Sequence, residues 1–280
     1  MTKTFAQYLI SIATLAVGAI IAIAQTAPTT TPASQPAGPP KPGPAAATLP
    51  AEIPKPAAGH KPTIFIIGDS TVKNGADNGA TMGEWGWGHI LHYYFDTSKA
   101  TIENDAVGGT SSRSFMETPS MWPRLLPKIQ PGDYVIMQFG HNDNTRPPES
   151  DTLRYRSTVS GNGENTVVGP VDPTQGGGTE VIHSFGWYIR QFVIITRGKG
   201  ATAIVCSLIP RDNWSAAGKV NRADNGYALW AKQAAEQSGG LFLPLNKLVA
   251  DEYDKLGRAK IVADYFPAGE TTHTNWTGAR

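Results

Sequence analysis

The chain has 280 residues, a formal net charge of +1 and 40% hydrophobic content. That near-neutral balance carries no polyelectrolyte footprint and argues against nucleic acid as a partner. The single cysteine, Cys206, excludes an intramolecular disulfide and any cysteine-based zinc or iron–sulfur cage.

Lys3 precedes an apolar run over residues 8–24 that ends in Ala22-Ile23-Ala24, the small-residue pattern of a signal-peptidase site. The expectation is a signal peptide over residues 1–24, cleaved after Ala24, and a secreted or periplasmic product. An uncleaved N-terminal anchor is the alternative, and the only route to the membrane that the sequence offers. No cysteine follows the run, which excludes a lipoprotein. Residues 25–62 are rich in Pro, Ala and Thr and hold half of the 22 prolines. Such a composition buries no core and predicts an extended, semi-stiff spacer. The folded domain is expected over residues 63–280, one domain by length.

Residues 63–67, Thr-Ile-Phe-Ile-Ile, read as a short buried strand that ends at Gly68-Asp69-Ser70. Residues 89–95 have helical apolar spacing, and residues 100–103 predict a second strand. A polar turn over 110–114 and a helix over 121–129 follow. A strong strand over 133–139 runs into Gly140-His141-Asn142-Asp143. Residues 144–180 show little apolar periodicity and predict a long surface excursion of the kind that carries function. A helix is expected over 181–197, a strand over 201–208, a helix over 222–238, a short strand over 241–243 and a helix over 246–256. Residues 264–280 read as loop up to His273. Strands alternate with helices and each hands over to a polar, Gly-containing loop, which predicts a parallel sheet between helix layers with those loops on one face.

Ser70 stands at the carboxyl end of the first strand, where α/β proteins collect ligands. A nucleophilic serine there needs a base, an orienting carboxylate and oxyanion donors; the alternative is an ordinary Gly-Asp-Ser turn. Of six histidines, His60 falls in the spacer, His89 and His92 lie beside apolar helix residues, and His183 starts a helix. His141 could line a site. His273 has Glu270 three residues before it, a spacing at which the carboxylate can accept from Nδ1 and leave Nε2 for the serine; both could equally be solvent-exposed loop residues. Gly109 offers a backbone N–H without a side chain in the way, and Asn142 a neutral amide donor.

Gly68-Asp69-Ser70, residues 104–109, Gly140-His141-Asn142-Asp143 and the carboxylate-x-x-His pair together resemble the four blocks of the SGNH (GDSL) hydrolase superfamily, in order. Residues 67–72, Gly86-Trp87-Gly88, residues 112–115, residues 135–143 and the closing segment 273–279 narrow the resemblance to its rhamnogalacturonan acetylesterase-like branch. The resemblance implies a three-layer α/β/α flavodoxin-like sandwich with about five parallel strands in the order 2-1-3-4-5. It implies Ser70 as nucleophile, His273 as base and Glu270 as orienter. Ser70 N–H, Gly109 N–H and Asn142 would then form the oxyanion hole, with no metal or other cofactor. The family usually has Asp where Glu270 stands; Asp264 is a conceivable substitute. It also continues into a fuller last helix than residues 275–280 supply, which would leave part of a layer uncovered.

The expected function is a secreted serine esterase, a monomer, removing acetyl groups from a plant cell-wall polysaccharide, with rhamnogalacturonan (pectin) first. Trp85, Trp87, Trp214 and His141 are candidates to contact sugar, the tryptophans equally to be packing residues, and residues 144–180 would form a polymer-contacting rim. The alternatives are a lipase or thioesterase of the same superfamily, which needs an apolar acyl channel, and a weakly catalytic carbohydrate-binding module. Asn213-Trp214-Ser215 and Asn275-Trp276-Thr277 are glycosylation sequons for a eukaryotic secretory host.

Overall fold

The computed structural model describes residues 38–75 and 82–280. The expected signal segment and residues 25–37 of the spacer lie outside them.

Five strands, β1 (Thr63–Gly68), β2 (Thr101–Asn104), β3 (Tyr134–Gln138), β6 (Thr202–Cys206) and β7 (Leu241–Leu243), form a parallel sheet in the order β2-β1-β3-β6-β7. Strands β4 (Thr166–Pro170) and β5 (Thr179–His183) form a separate antiparallel pair. Counted without that pair, the sheet has the expected order 2-1-3-4-5, the doubly wound pattern with its switch point beside β1.

The alternation of β1 builds both cores. Phe65 and Ile67 point to one face with Val135, Met137, Ala203 and Val205, and the register pairs Phe65 with Val135 and Val135 with Ala203. Ile64 and Ile66 point to the other face with Val72 and Ala106. On the first face packs α5 (Phe185–Gly198), which buries Trp187, Tyr188, Phe192 and Val193. Burying such side chains contributes about 1.5–3 kcal/mol each. Helix α6 (Tyr227–Ser238) lies beside it through Ala231, Ala234 and Ala235. The short helix α1 (Ser70–Lys73) and α2 (Trp87–Ile90) cover the second face through Val72 and Trp87. A third cluster joins α7 (Leu245–Leu256) to α8 (Arg258–Asp264) through Ala250, Tyr253 and Ile261.

Residues 112–114, read as turn, open the helix α3 (Ser112–Glu117), and two longer segments also differ from the sequence reading. Residues 179–180 were expected to end the surface excursion and 181–183 to open a helix, yet all five form β5, because Gly176, Gly177 and Gly178 all take positive φ and turn the chain back onto β4. The helix begins only after Ser184, whose hydroxyl caps the Trp187 N–H at 3.1 Å. The excursion is therefore a built hairpin, and α3 (Ser112–Glu117) fastens it. Arg113 of α3 is 1% exposed, pairs with Glu180 of β5 and donates to the Pro170 carbonyl of β4 at 3.0 Å.

The second difference concerns the spacer. Residues 38–62 do not stand clear of the domain. Lys41 exchanges backbone hydrogen bonds with Thr179 and Val181, the Ala47 N–H donates to Gln191 of α5 at 2.6 Å, and His60 meets buried Asp133 at 2.9 Å. Gly43, Gly132 and Gly200 matter here because a Cβ on any of them would collide across these contacts. Among the described residues no helix is long and apolar enough to cross a membrane.

Candidate active site

Ser70 is the first residue of α1, immediately past the end of β1. Its neighbours are locked. The Asp69 carboxylate accepts from the Thr71 N–H at 2.9 Å and the Thr71 hydroxyl at 2.7 Å, capping the helix. Gln138, at the end of β3, donates to Thr71 Oγ1 at 2.7 Å and accepts from the Trp87 indole at 2.9 Å. Gly68 is required by space: a Cβ there would lie 2.6 Å from the Gln138 carbonyl oxygen and 2.7 Å from Val72.

Ser70 Oγ lies 2.7 Å from His273 Nε2, within the range of a strong hydrogen bond. The histidine comes from the loop before α9 (Trp276–Ala279). That loop is stitched to the segment before α2 by the Trp85 N–H to the Thr274 carbonyl, 2.7 Å, and by the Thr274 hydroxyl to the Trp85 carbonyl, 2.8 Å.

The stitch brings a second carboxylate to the site. His273 Nδ1 is 3.4 Å from Glu270 Oε2 and 3.5 Å from Glu84 Oε1, both longer than a well-formed N–H···O bond. The histidine is thus flanked by two near-equidistant carboxyl groups. Glu270 Oε1 accepts the N–H groups of Thr271, Thr272 and His273 at 2.8, 2.6 and 3.2 Å. Burial acts against ionisation of Glu270, but those three N–H groups win and hold its carboxyl down to about 2. Glu84 is buried, with Oε2 held by the Asn74 amide at 2.6 Å. Burial raises its carboxyl pKa; His273 opposes the shift and Glu270 adds to it.

Glu84 was missed in the sequence. It lies in the Gly-Glu-Trp-Gly-Trp-Gly stretch, but nothing in its spacing links it to a histidine 189 residues further on. Asp264, the conceivable substitute for Glu270, is excluded by its place at the end of α8, where it pairs with Lys260 at 2.7 Å. Glu84, Glu270 and His273 offer three ligand atoms within 4.8 Å of one another, the one such group among the described residues. Two carboxylates at an imidazole nitrogen are also what a histidine that takes up a proton calls for.

The cavity around Ser70 has a volume of about 780 Å³. Gly109 and Asn142 line it. Gly109 has φ 78°, a left-handed conformation that glycine adopts without strain. Among the described residues neither the Ser70 nor the Gly109 N–H has an acceptor. Asn142 donates one amide hydrogen to the Thr110 carbonyl at 2.9 Å, which orients the group and leaves its second hydrogen over. The three candidate donors thus stand in the segments that follow β1, β2 and β3, and all three residues line the one cavity. Asp143 pins the third loop by accepting from Ser112 Oγ at 2.5 Å and from the Gly140 N–H at 3.0 Å.

His141 lines the cavity too. Burial drives its pKa down to about 4, so the ring stays neutral. The tryptophans are elsewhere. Trp85 meets Trp276 and His89 edge-on with ring centroids 4.7 and 5.1 Å apart. Trp87 packs on the sheet with its indole on Gln138, and Trp214 packs with Val220 while its indole donates to Asp212 at 2.5 Å. None of the three is among the lining residues. All three make packing contacts of the kind the sequence allowed for them.

The model of the GDSL-like lipase/acylhydrolase family matches residues 66–280. The chain belongs to that family. As a GDSL-like hydrolase it is an enzyme of carboxylic ester chemistry, and its relatives narrow the comparison. It is 28% identical over 217 residues to a rhamnogalacturonan acetylesterase of Emericella nidulans, covering 78% of this chain and 80% of that one. It is 26% identical over 208 residues to the probable rhamnogalacturonan acetylesterase YesY of Bacillus subtilis, covering 74% and 80%. The crystal structure of Bacillus subtilis YxiM superposes with a TM-score of 0.60 at 24% identity, over 79% of this GDSL-like hydrolase and 53% of YxiM. This last likeness speaks for the fold.

Proposed function

We propose that this enzyme is an exported serine acetylesterase that removes acetyl groups from a pectic polysaccharide, rhamnogalacturonan first, through an acetyl-enzyme intermediate. The observation that carries the reading is the 2.7 Å contact of Ser70 Oγ with His273 Nε2 in the cavity that Gly109 and Asn142 line. The acetylesterase names of the relatives from Emericella nidulans and Bacillus subtilis support the substrate.

In this reading Ser70 Oγ attacks the acetyl carbonyl while His273 Nε2 takes its proton. The Ser70 and Gly109 N–H groups and the Asn142 amide receive the negative charge that develops on the carbonyl oxygen. The imidazolium formed meanwhile is compensated by Glu270 and Glu84. Collapse expels the sugar oxygen, which His273 protonates. Water then attacks the acetyl-serine by the same route and frees acetate.

The cavity favours a short acyl group. Its apolar lining is limited to Ala106 and Val107, too little for a long chain. Acetyl esters should therefore be cleaved well ahead of octanoyl esters.

The decisive variant is Ser70→Ala. Release of p-nitrophenol from its acetate, and of acetate from acetylated rhamnogalacturonan, should fall on the order of 10⁴-fold or more with the unfolding midpoint unchanged. Retained turnover in that variant would remove Ser70 from the mechanism.

A further inference from the structure

The cavity beside Ser70 is strongly cationic, although the chain as a whole carries a net charge of +1. Arg154, Arg156, Arg211 and Lys73 all line it. Among the described residues none of these four has a carboxylate within ion-pair distance, while the other arginines of the core, Arg113 and Arg190, are paired. The one carboxylate among the lining residues, Glu84, is committed to Asn74 and His273. Asp151, Asp143 and Asp69 lie near enough to act on Arg156, yet none of the four cations has a carboxylate in direct contact, an arrangement that favours an anionic ligand.

Two of them are presented by a purpose-built turn of the excursion. The buried Asp151 carboxylate accepts the backbone N–H groups of Arg154, Arg156 and Ser157 at 3.1, 2.9 and 3.0 Å, and the Ser157 hydroxyl at 2.9 Å. Tyr155, between the arginines, has φ 52°, the one positive φ of a non-glycine residue among those described. Its side chain lines a separate pocket with Arg113 and Glu180, so the two arginines are left facing the catalytic cavity. The Arg156 guanidinium donates through one Nη to the Gly109 carbonyl, while its buried Nε has no partner. Arg211 approaches from the loop after β6, with an Nη 3.4 Å from the His141 carbonyl.

We propose that Arg154, Arg156 and Arg211 form a carboxylate subsite beside the oxyanion donors, which reads a uronate on the acetylated sugar or on the residue linked to it. A planar guanidinium matches a planar carboxylate with two parallel hydrogen bonds, and a neutral or methyl-esterified sugar leaves the cations unmatched. The subsite rests on the acetylesterase reading for its catalytic consequence: it selects which acetyl groups reach Ser70.

The test separates binding from turnover. Unacetylated oligogalacturonate should inhibit hydrolysis of p-nitrophenyl acetate competitively, its methyl-esterified form at least tenfold less, with the difference shrinking in high salt. Arg154→Gln and Arg211→Gln, both at exposed positions, should each raise the inhibition constant of the free acid about tenfold with unchanged unfolding midpoints. In acetylated substrates they should bring the kcat/KM ratio of free acid to methyl ester toward one, through KM. Arg156 is left intact because it also holds Gly109. Equal inhibition of the wild type by acid and ester would overturn the subsite, as would stronger inhibition by a sulfated oligosaccharide. Acetate release at equal rates from free-acid, methyl-esterified and neutral xylan substrates would keep the acetylesterase and discard the subsite. Arginine-dependent inhibition with no acetate released from any polysaccharide would do the reverse.

Discussion

Around Ser70 the flanking Asp69, Thr71 and Val72 are 0, 1 and 0% exposed, whereas the side chains of His273, Glu270 and Glu84 keep 23, 27 and 10% of their surface open. The proposed nucleophile is fixed by packing: a glycine with no room for a Cβ, a capped helix start, and a chain of short hydrogen bonds from Asp69 through Thr71 and Gln138 to Trp87. The proposed base is fixed by its backbone. Two hydrogen bonds stitch its loop to Trp85, a carboxylate gathers three N–H groups, and two carboxyl groups stand 3.4 and 3.5 Å from its ring. In the proposed mechanism Ser70 stays in one place throughout the reaction, while His273 exchanges a proton first with serine and then with water. A close-packed nucleophile and a charge-compensated, slightly open base suit those tasks.

The comparison is broken most severely at the base. Glu84→Gln and Glu270→Gln should each lower kcat/KM by roughly ten- to hundredfold, because either carboxylate partly covers for the other. The double variant should lose more than the product of the two single losses. Rates against p-nitrophenyl acetate across pH measure this cycle, and a wild-type rate in Glu84→Gln would leave Glu270 as the sole orienter.

At the nucleophile the expected effect is on stability. Gly68→Ala places a methyl group against the Gln138 carbonyl and Val72 and should cost about 1–3 kcal/mol, read from urea unfolding, with activity falling as Ser70 shifts. A neutral outcome would show that β1 can move away from β3.

The smallest effect concerns acid stability. Asp151 and Glu270 have ordinary values of 3.8 and 4.5, and despite burial their backbone N–H partners hold both carboxyls down to about 2. A depressed carboxyl contributes stability that is complete above its unfolded value and is lost as the pH falls through its folded one. The melting temperature should therefore drop between pH 4.5 and 2. Asp151→Asn or Glu270→Gln should flatten that limb without changing the slope above pH 5.

Residues 63–67, 133–139 and 201–208 carried the sheet openly, since strands buried on both faces read as unbroken β-branched runs. Ser70, Gly109, Asn142 and His273 were legible because each follows such a strand or stands in a recognisable block. The hairpin over 166–183 was hidden: its glycine turn and half-exposed strands look like loop in a polar stretch, and Val181-Ile182 reads as the start of the helix after it. The packed strap over residues 38–62 was hidden as well, because a proline-rich segment has the same composition free or laid against a surface.

By itself the sequence determined the parallel sheet and the loops that carry the chemistry, because apolar periodicity and turn chemistry are local properties of the chain. Only the tertiary structure decided that Glu84 joins Glu270 at His273, that three tryptophans serve packing, and that Arg154, Arg156 and Arg211 share one cavity. These are relations between residues tens to hundreds of positions apart. They depend on which loops the sheet brings side by side, and no local pattern records that.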